Sequence, residues 1–205
     1  MIRHVIFDMG QVLIQWDPKT IIARLGLTEA KNALLLREVF QGFEWSAMDH
    51  GILTAEEGLR RIRARLPESL HSAADACVLD WWKAPLCPMP GMADLVREVR
   101  ALGYDIYLLS NATSDLHRYF SRIPGSECFD GLVVSADEKA IKPQREIYEA
   151  LFSRYRLKPE ECYFIDDNPA NIDGAFALGM PGSVFFGDMA RLRSELRAAG
   201  IGVEA

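Results

Sequence analysis

The chain has 205 residues, of which 49% are apolar and 25% charged, and its net charge is −6. This composition is typical of a globular protein with one core or one core plus a small accessory domain, and it excludes a largely disordered chain. The acidic balance argues against nucleic acid or an anionic membrane as a partner. A phosphorylated small molecule stays possible, because a bound cation can invert the charge of a site.

Cys77, Cys87, Cys128 and Cys162 are scattered along the chain without a CxxC pair, so neither a zinc cluster nor a disulfide framework is expected. Free thiols are typical of a cytoplasmic protein. The apolar runs are too short for a signal peptide or a membrane-spanning helix. We therefore expect a cytoplasmic protein with no membrane partner, and the sequence carries no signal for an oligomeric state.

The first predicted element is a short β-strand at residues 4–7, which stops at Asp8. Residues 16–87 have no strand pattern, and their apolar positions recur at helical spacing. Within them, Thr54-Ala-Glu-Glu57 is a capping box that opens a helix, and Pro67 ends it. We predict that residues 16–87 form a small helical cap inserted after the first strand.

From residue 88 onward, short apolar strands alternate with amphipathic helices. Strands are predicted at 105–109, 131–135, 163–165 and 183–186, and helices at 91–102, 115–120, 144–155, 171–178 and 189–199. Nearly all-apolar strands joined by helices predict a parallel sheet covered on both faces. The predicted fold class is α/β, a three-layer Rossmann-like parallel sheet, with residues 1–15 and 88–205 forming the core.

Polar side chains follow the ends of three predicted strands: Asp8, Ser110, Asn111, Asp166 and Asp167. Because ligand sites in such sheets lie beyond the carboxyl ends of the strands, we expect these side chains to meet at one edge. The three carboxylates suit a hard cation such as Mg²⁺, and Asp8 can attack phosphorus as a nucleophile. Ser110 and Asn111 can donate hydrogen bonds to phosphoryl oxygens, and Lys142 can neutralise charge on the phosphate and Asp8.

Four segments resemble the motifs of the haloacid dehalogenase-like (HAD) superfamily, in the expected order along the whole chain: FDMGQVL, LLSNAT, Lys142-Pro143 and FIDDNPANIDGAFALGM. Within the family, they most resemble the group of the bacterial α-D-glucose-1-phosphate phosphatase and the phosphatase domain of soluble epoxide hydrolase. The resemblance implies that Asp8 forms an aspartyl-phosphate. It also implies a Mg²⁺ site made of Asp8, the Gly10 carbonyl and Asp167, with Asp166 acting through a bound water. Ser110, Asn111 and Lys142 would bind the phosphoryl group.

One position departs from the family pattern. Most phosphatases of this superfamily carry a second Asp two residues after the nucleophile, which protonates the leaving group, whereas this chain has Gly10. Three interpretations stay open. The substrate has a leaving group that needs little protonation, such as that of a sugar 1-phosphate; Asp17 serves as a substitute acid; or the protein is a weakly active enzyme or a non-catalytic binding domain.

We predict a Mg²⁺-dependent phosphatase that acts on a small phosphorylated metabolite, a sugar phosphate, beneath a closing cap. A metal-independent 2-haloacid dehalogenase is the alternative, and the Asp166-Asp167 pair disfavours it. A phosphomutase would be expected to keep the acid that is missing at Gly10. Four aromatic side chains either line the mouth of the site or form ordinary core between cap helices: Trp16, Phe40, Phe43 and Trp45.

Overall fold

The computed structural model describes residues 1–204. Its strands are β1 (His4–Phe7), β2 (Asp105–Ser110), β3 (Gly131–Val134), β4 (Cys162–Asp166) and β5 (Gly182–Val184). They form one parallel sheet in the order β3-β2-β1-β4-β5, so the strand that begins the chain lies at the centre. The predicted parallel α/β sheet is confirmed.

Within the described residues, the α-helices are α1 (Pro18–Ala23), α2 (Glu29–Leu35), α3 (Phe43–Asp49), α4 (Ala55–Arg63), α5 (His71–Asp75), α6 (Met92–Ala101), α7 (Leu116–Tyr119), α8 (Ser135–Glu138), α9 (Arg145–Tyr155), α10 (Pro169–Phe176) and α11 (Met189–Ala198). Single π-helical turns lie at Leu36–Phe40 and Ala76–Asp80. Short 3₁₀ turns lie at Glu68–Leu70, Trp81–Lys83, Phe120–Arg122, Ser126–Cys128 and Pro159–Glu161.

The sheet is buried on both faces because successive side chains of a strand point to opposite sides. Val5 and Phe7 of β1 join an apolar cluster that includes residues of α6 and α11. Ile6, between them, joins a second cluster with residues of α9. Burial of each such side chain contributes about 1.5–3 kcal/mol, so the all-apolar strands are held from both sides. The result is the predicted three-layer arrangement.

Several element boundaries differ from the sequence prediction by one or more residues, and three of these differences have a clear local cause. The strand β5 ends at Val184, since Phe186 is exposed and the chain turns at Gly187, whose φ is +85°. Ser135 begins α8 and does not end β3. Helix α10 begins at Pro169, where the Asn168 side chain accepts a hydrogen bond from the N–H of Ala170 at 3.0 Å.

The helices between Pro18 and Lys83 have an apolar cluster of their own, separate from the two on the sheet. As predicted, Thr54 and Glu57 form a capping box at the start of α4. Two chain segments connect this insert to the sheet and run side by side. The Gln15 N–H donates to the Cys87 carbonyl at 2.8 Å, and the Met89 N–H donates to the Leu13 carbonyl at 2.9 Å. These features support the division into a core and a cap at residues 16–87, which stays a prediction.

All four cysteines are free, and Cys162 is buried in β4. Within residues 1–204, no helix combines the length and the apolar character needed to cross a bilayer.

Candidate active site

The predicted polar residues meet at the carboxyl edge of the sheet. In the register of the sheet, Phe7 lies opposite Leu108 on one side and Ile165 on the other. Asp8, the next residue, therefore lies between the ends of β2 and β4, where Ser110 and Asp166 are the last strand residues. The main-chain N–H of Asp8 donates to the carbonyl of Ile165 at 2.9 Å, which fixes its backbone at this edge.

Lys142 occupies the centre of the site. Its side chain is 1% exposed, and Nζ lies 2.8 Å from Asp8 Oδ1 and 2.7 Å from Asp166 Oδ2. Nζ also donates to the Leu109 carbonyl at 2.8 Å, so three acceptors surround the ammonium group. Burial opposes its charged form, yet the two carboxylates raise the pKa of Lys142 above its ordinary value. The lysine is therefore a fixed positive charge beside Asp8.

Asp166 is fully buried and accepts hydrogen bonds from several directions. Oδ1 accepts from the Asn168 N–H at 2.8 Å and from Asn171 Nδ2 at 2.9 Å, and Oδ2 accepts from Lys142. The Asn171 carbonyl in turn accepts from the Tyr148 hydroxyl at 2.7 Å. Asp166 is thus a positioning group with little freedom to bind a ligand directly, which suits the predicted contact through water.

The carboxylates at this edge are suited to hold a cation. Asp8, Asp166 and Asp167 each offer an oxygen within 4.8 Å of the others. When ionised they exceed the single charge of Lys142 by two. Burial, and then the neighbouring Asp166, raise the pKa of Asp167, and Lys142 offsets this only in part, so the negative charge of Asp167 is incompletely compensated. Asn171 is 5% exposed, and its Oδ1 has no hydrogen-bond partner within residues 1–204, a need that a metal-bound water would meet.

The pKa of Asp8 also indicates a cation at this site. Burial raises its pKa to about 7; Lys142 opposes this shift and Asp166 adds to it. A divalent cation beside Asp8 favours the ionised carboxylate, which is the nucleophilic form. The donor set of carboxylate oxygens and water matches Mg²⁺.

Ser110 and Asn111 both line the cavity at this edge, but they are held differently. Asn111 clamps the backbone of Lys142: its Oδ1 accepts from the Lys142 N–H at 2.8 Å, and its Nδ2 donates to the Lys142 carbonyl at 3.0 Å. The side chain predicted to bind phosphate therefore positions the lysine. Ser110, 1% exposed, stays available as a hydroxyl donor.

A cavity of about 250 Å³ opens above Asp8, between the sheet edge and the helical insert. Its polar end is formed by the residues above. Its remaining walls are mainly aromatic and aliphatic: Met9, Trp16, Trp45, Met48, Val78, Trp81 and Tyr119. Gln11, Asp49, Thr113 and Asn168 add polar groups.

The structure brings two of the four predicted aromatic residues to the cavity wall, Trp16 and Trp45. Phe40 lies behind them, with its ring 4.6 Å from that of Trp45 and 6.1 Å from that of Trp16, centroid to centroid. Phe43 is 64% exposed and lies away from the cavity. The helical spacing did not distinguish the face of α3 that meets the site from the face that meets solvent.

Asp17 lies outside this cavity. It caps α1: Oδ1 accepts from the Lys19 N–H at 3.0 Å, and Oδ2 accepts from the Thr20 N–H at 3.1 Å and the Thr20 hydroxyl at 2.8 Å. These bonds, the one from the Thr20 hydroxyl first, hold the pKa of Asp17 below its ordinary value. A carboxylate in this state is a poor proton donor, so the geometry favours the capping role over the substitute-acid role.

Asp49, at the end of α3, was not predicted from the sequence, and it lines the cavity from the side of the helical insert. Its pKa is raised to about 8 by burial, against the effect of hydrogen bonding from the Trp45 side chain and the Thr113 N–H. Within a helical stretch, a single acid carries no pattern that marks it as functional. Tyr119 and Met48 were not predicted either, because a single tyrosine or methionine within a helical stretch also carries no such pattern.

Comparison with known proteins gives one family. The family model described as haloacid dehalogenase-like hydrolase matches residues 2–179. The sesquiterpene phosphatase astK of Aspergillus oryzae is 26% identical over 181 residues, which are 88% of this chain and 88% of that protein. The chain spans only 17% and 34% of the length of two other curated relatives it matches.

Two solved structures share the fold of this chain. A HAD family enzyme from Bacteroides thetaiotaomicron, crystallised with magnesium and inorganic phosphate, is 23% identical, with a TM-score of 0.68 over 94% of this chain and 99% of that one. The L-2-haloacid dehalogenase of Xanthobacter autotrophicus is 17% identical, with a TM-score of 0.66 over 99% of this chain and 85% of that one. The fold alone therefore does not assign a reaction to this chain.

Proposed function

Because the chain belongs to the haloacid dehalogenase-like hydrolase family, we propose that it is a Mg²⁺-dependent phosphatase of small phosphomonoesters with Asp8 as nucleophile. The observation that carries this proposal is the cluster of Asp8, Asp166 and Asp167 oxygens within 4.8 Å of one another. Attack on carbon, as in a dehalogenase, gains little from such an excess of negative charge. An anionic phosphate ester, in contrast, can approach these carboxylates only when a cation neutralises part of the charge. The sesquiterpene phosphatase among the relatives supports the same reaction class.

In this mechanism, the Asp8 carboxylate attacks phosphorus and the ester oxygen leaves, which gives an aspartyl-phosphate that water then hydrolyses. Bound Mg²⁺ would be held by Asp8, Asp167 and the Gly10 carbonyl, with Asp166 behind a bound water, and would neutralise phosphoryl charge. Lys142 holds Asp8 in position and contributes the second positive charge. Ser110 donates to a phosphoryl oxygen, and Asn111 keeps Lys142 in place.

The side chains that line the cavity indicate the polarity of the organic part of the substrate. A sugar carries several hydroxyl groups, each of which costs free energy when it is buried without a hydrogen-bond partner. Beyond the phosphate end, the walls are mostly aromatic and aliphatic, with few polar groups to meet such hydroxyls. This composition favours the ester of a mainly apolar alcohol over the sugar phosphate predicted from the sequence. The relative astK, a sesquiterpene phosphatase, is in line with that preference.

A substrate screen tests the proposal. The purified protein is assayed against sugar phosphates, aromatic and prenyl monophosphates and 2-haloacids, each with Mg²⁺ and with a chelator. We expect phosphate release that needs Mg²⁺ and is faster with the apolar esters. Halide release that survives chelation would favour the dehalogenase instead. Preference for sugar phosphates would restore the original substrate prediction without changing the reaction class.

A further inference from the structure

The cavity is left with one carboxylic acid that the proposed mechanism does not use. Asp8 and Asp167 belong to the sheet edge, whereas Asp49 approaches from the cap, at the last residue of α3. Unlike Asp8, it forms no ion pair within residues 1–204. Gly10, at the position where an acid would be expected, offers no side chain. A leaving alkoxide in this cavity would therefore find no acidic side chain at position 10 to protonate it.

The backbone around Asp49 is anchored to the core next to the site. The Ser135 hydroxyl donates to the Asp49 carbonyl at 2.5 Å, and the hydroxyl oxygen of Ser135 accepts from the Ala112 N–H at 2.9 Å. Two residues on, Gly51 has φ of +72°, and a Cβ at this position would lie 2.2 Å from the Ala136 carbonyl oxygen. The end of α3 is thus packed tightly against the core, which limits how far Asp49 can move from the cavity.

The surroundings of Asp49 keep a proton on it. Burial raises its pKa to about 8, and no charged side chain of the described residues contributes to that shift. Trp45 and the Thr113 N–H lower the pKa of Asp49, but only in part. The Tyr119 hydroxyl, which lines the same cavity, has its pKa raised by burial and then by Asp49, so it stays neutral. Near neutral pH the carboxyl group is a proton donor.

We propose that Asp49 is the general acid and base of this site and takes the place of the acid missing at Gly10. The inference rests on the proposed phosphatase function. As Asp8 bonds to phosphorus, the P–O ester bond breaks, and its electron pair stays on the leaving oxygen, which takes the proton of Asp49. The Asp49 carboxylate then accepts a proton from the water that attacks the aspartyl-phosphate. The P–O bond to Asp8 breaks, Asp8 is restored as a carboxylate, and inorganic phosphate leaves.

The test compares two esters with opposite needs for protonation. Benzyl phosphate has a basic leaving oxygen that requires a proton, whereas 4-nitrophenolate leaves readily without one. In Asp49→Asn, we expect kcat/KM to fall about 10²–10⁴-fold with benzyl phosphate and less than about tenfold with 4-nitrophenyl phosphate. Retained turnover of the nitrophenyl ester also shows that the variant is folded.

The matched control is Asp80→Asn, which removes an acid of the same cap that is exposed and pairs with Lys83 at 2.6 Å. In this variant, kcat/KM should stay at the wild-type level with both esters. An equal loss with the two esters in Asp49→Asn, or no loss with either, would overturn the role of Asp49 and leave the phosphatase proposal intact. A wild-type protein that hydrolyses neither ester with Mg²⁺ would overturn both.

Discussion

The ammonium nitrogen of Lys142 lies 2.8 Å from Oδ1 of Asp8, at a point where the lysine side chain is 1% and the aspartate side chain 11% exposed. A pair of this kind costs desolvation free energy for both ions and regains it only when both partners are present. The same lysine reaches Asp166 at 2.7 Å, so a single cation holds two carboxylates in place. Lys142 therefore stabilises the sheet edge and also holds the nucleophile Asp8 in position.

Replacement of Lys142 by Met should affect both properties. Two buried carboxylates would lose their counter-charge, so we expect the free energy of unfolding to fall by about 3–5 kcal/mol. Activity should fall by about 100-fold or more, since a preorganised charge is lost. Urea denaturation and steady-state kinetics measure the two effects. The control Lys158→Met removes an exposed lysine, 3.5 Å from Glu161, and should change stability by less than about 0.5 kcal/mol. Similar stabilities of the two variants would contradict the account.

Metal binding should be visible without turnover. A ligand that binds only the folded protein stabilises it by about 2.7 kcal/mol at 100 times its Kd, so Mg²⁺ should raise the Tm of the wild-type protein. Asp167→Asn should lose that rise while its Tm without metal stays equal or increases, because a partly buried negative charge next to Asp166 is removed. Differential scanning calorimetry with and without Mg²⁺ provides the comparison.

The control for that experiment is Asp173→Asn, an exposed position of α10 close in sequence to the metal cluster. It should keep the full Mg²⁺-dependent rise in Tm. A rise of the same size in Asp167→Asn would remove Asp167 from the metal site.

Asp17→Ala separates capping from catalysis. The variant loses three hydrogen bonds at the start of α1, so we expect the free energy of unfolding to fall by about 1 kcal/mol. Turnover with a basic leaving group should be unchanged, since Asp17 lies outside the cavity. A large loss of kcat with no loss of stability would reinstate Asp17 as the substitute acid.

The raised pKa of Asp49 predicts a pH-dependent stability. In the folded state the group titrates near 8, above its ordinary value of 3.8, so between these values the folded protein binds a proton that the unfolded chain releases. Its contribution to the free energy of unfolding therefore decreases as the pH rises from about 4 to about 8. Asp49→Asn lacks this group, so the stability of the variant relative to wild type should increase over the same range. Urea denaturation at pH 5 and pH 8 measures the change, and a constant difference would contradict it.

The sequence was sufficient to predict the position of the site residues that lie on the sheet. Asp8 and Asp166 follow apolar strands, and parallel strands bring their carboxyl ends together whatever the details of packing. The start of α10 was also readable, because Asn168 followed by Pro169 is a cap and first-turn pair, although the prediction placed the helix two residues late.

The remaining features depend on contacts between distant parts of the chain. Asn111 turns to the backbone of Lys142, 31 residues away, and local pattern could not distinguish this from a contact with phosphate. Asp49 reaches the cavity only because the helices of the insert pack next to the sheet edge, and their relative placement is set by tertiary packing. Phe43 and Trp45 are two residues apart on one helix, yet only Trp45 faces the cavity.

The most direct test of the central claim is to look for a phosphoryl group on Asp8. The protein is mixed with Mg²⁺ and an ester found active in the screen, quenched in acid during turnover and digested with trypsin. Mass spectrometry of the peptide 4–19, which contains both Asp8 and Asp17, then locates any added group. We predict a phosphoryl group on Asp8, absent from the inactive but folded variant Asp8→Asn. Full turnover by Asp8→Asn, or a phosphoryl group on another residue, would contradict the mechanism.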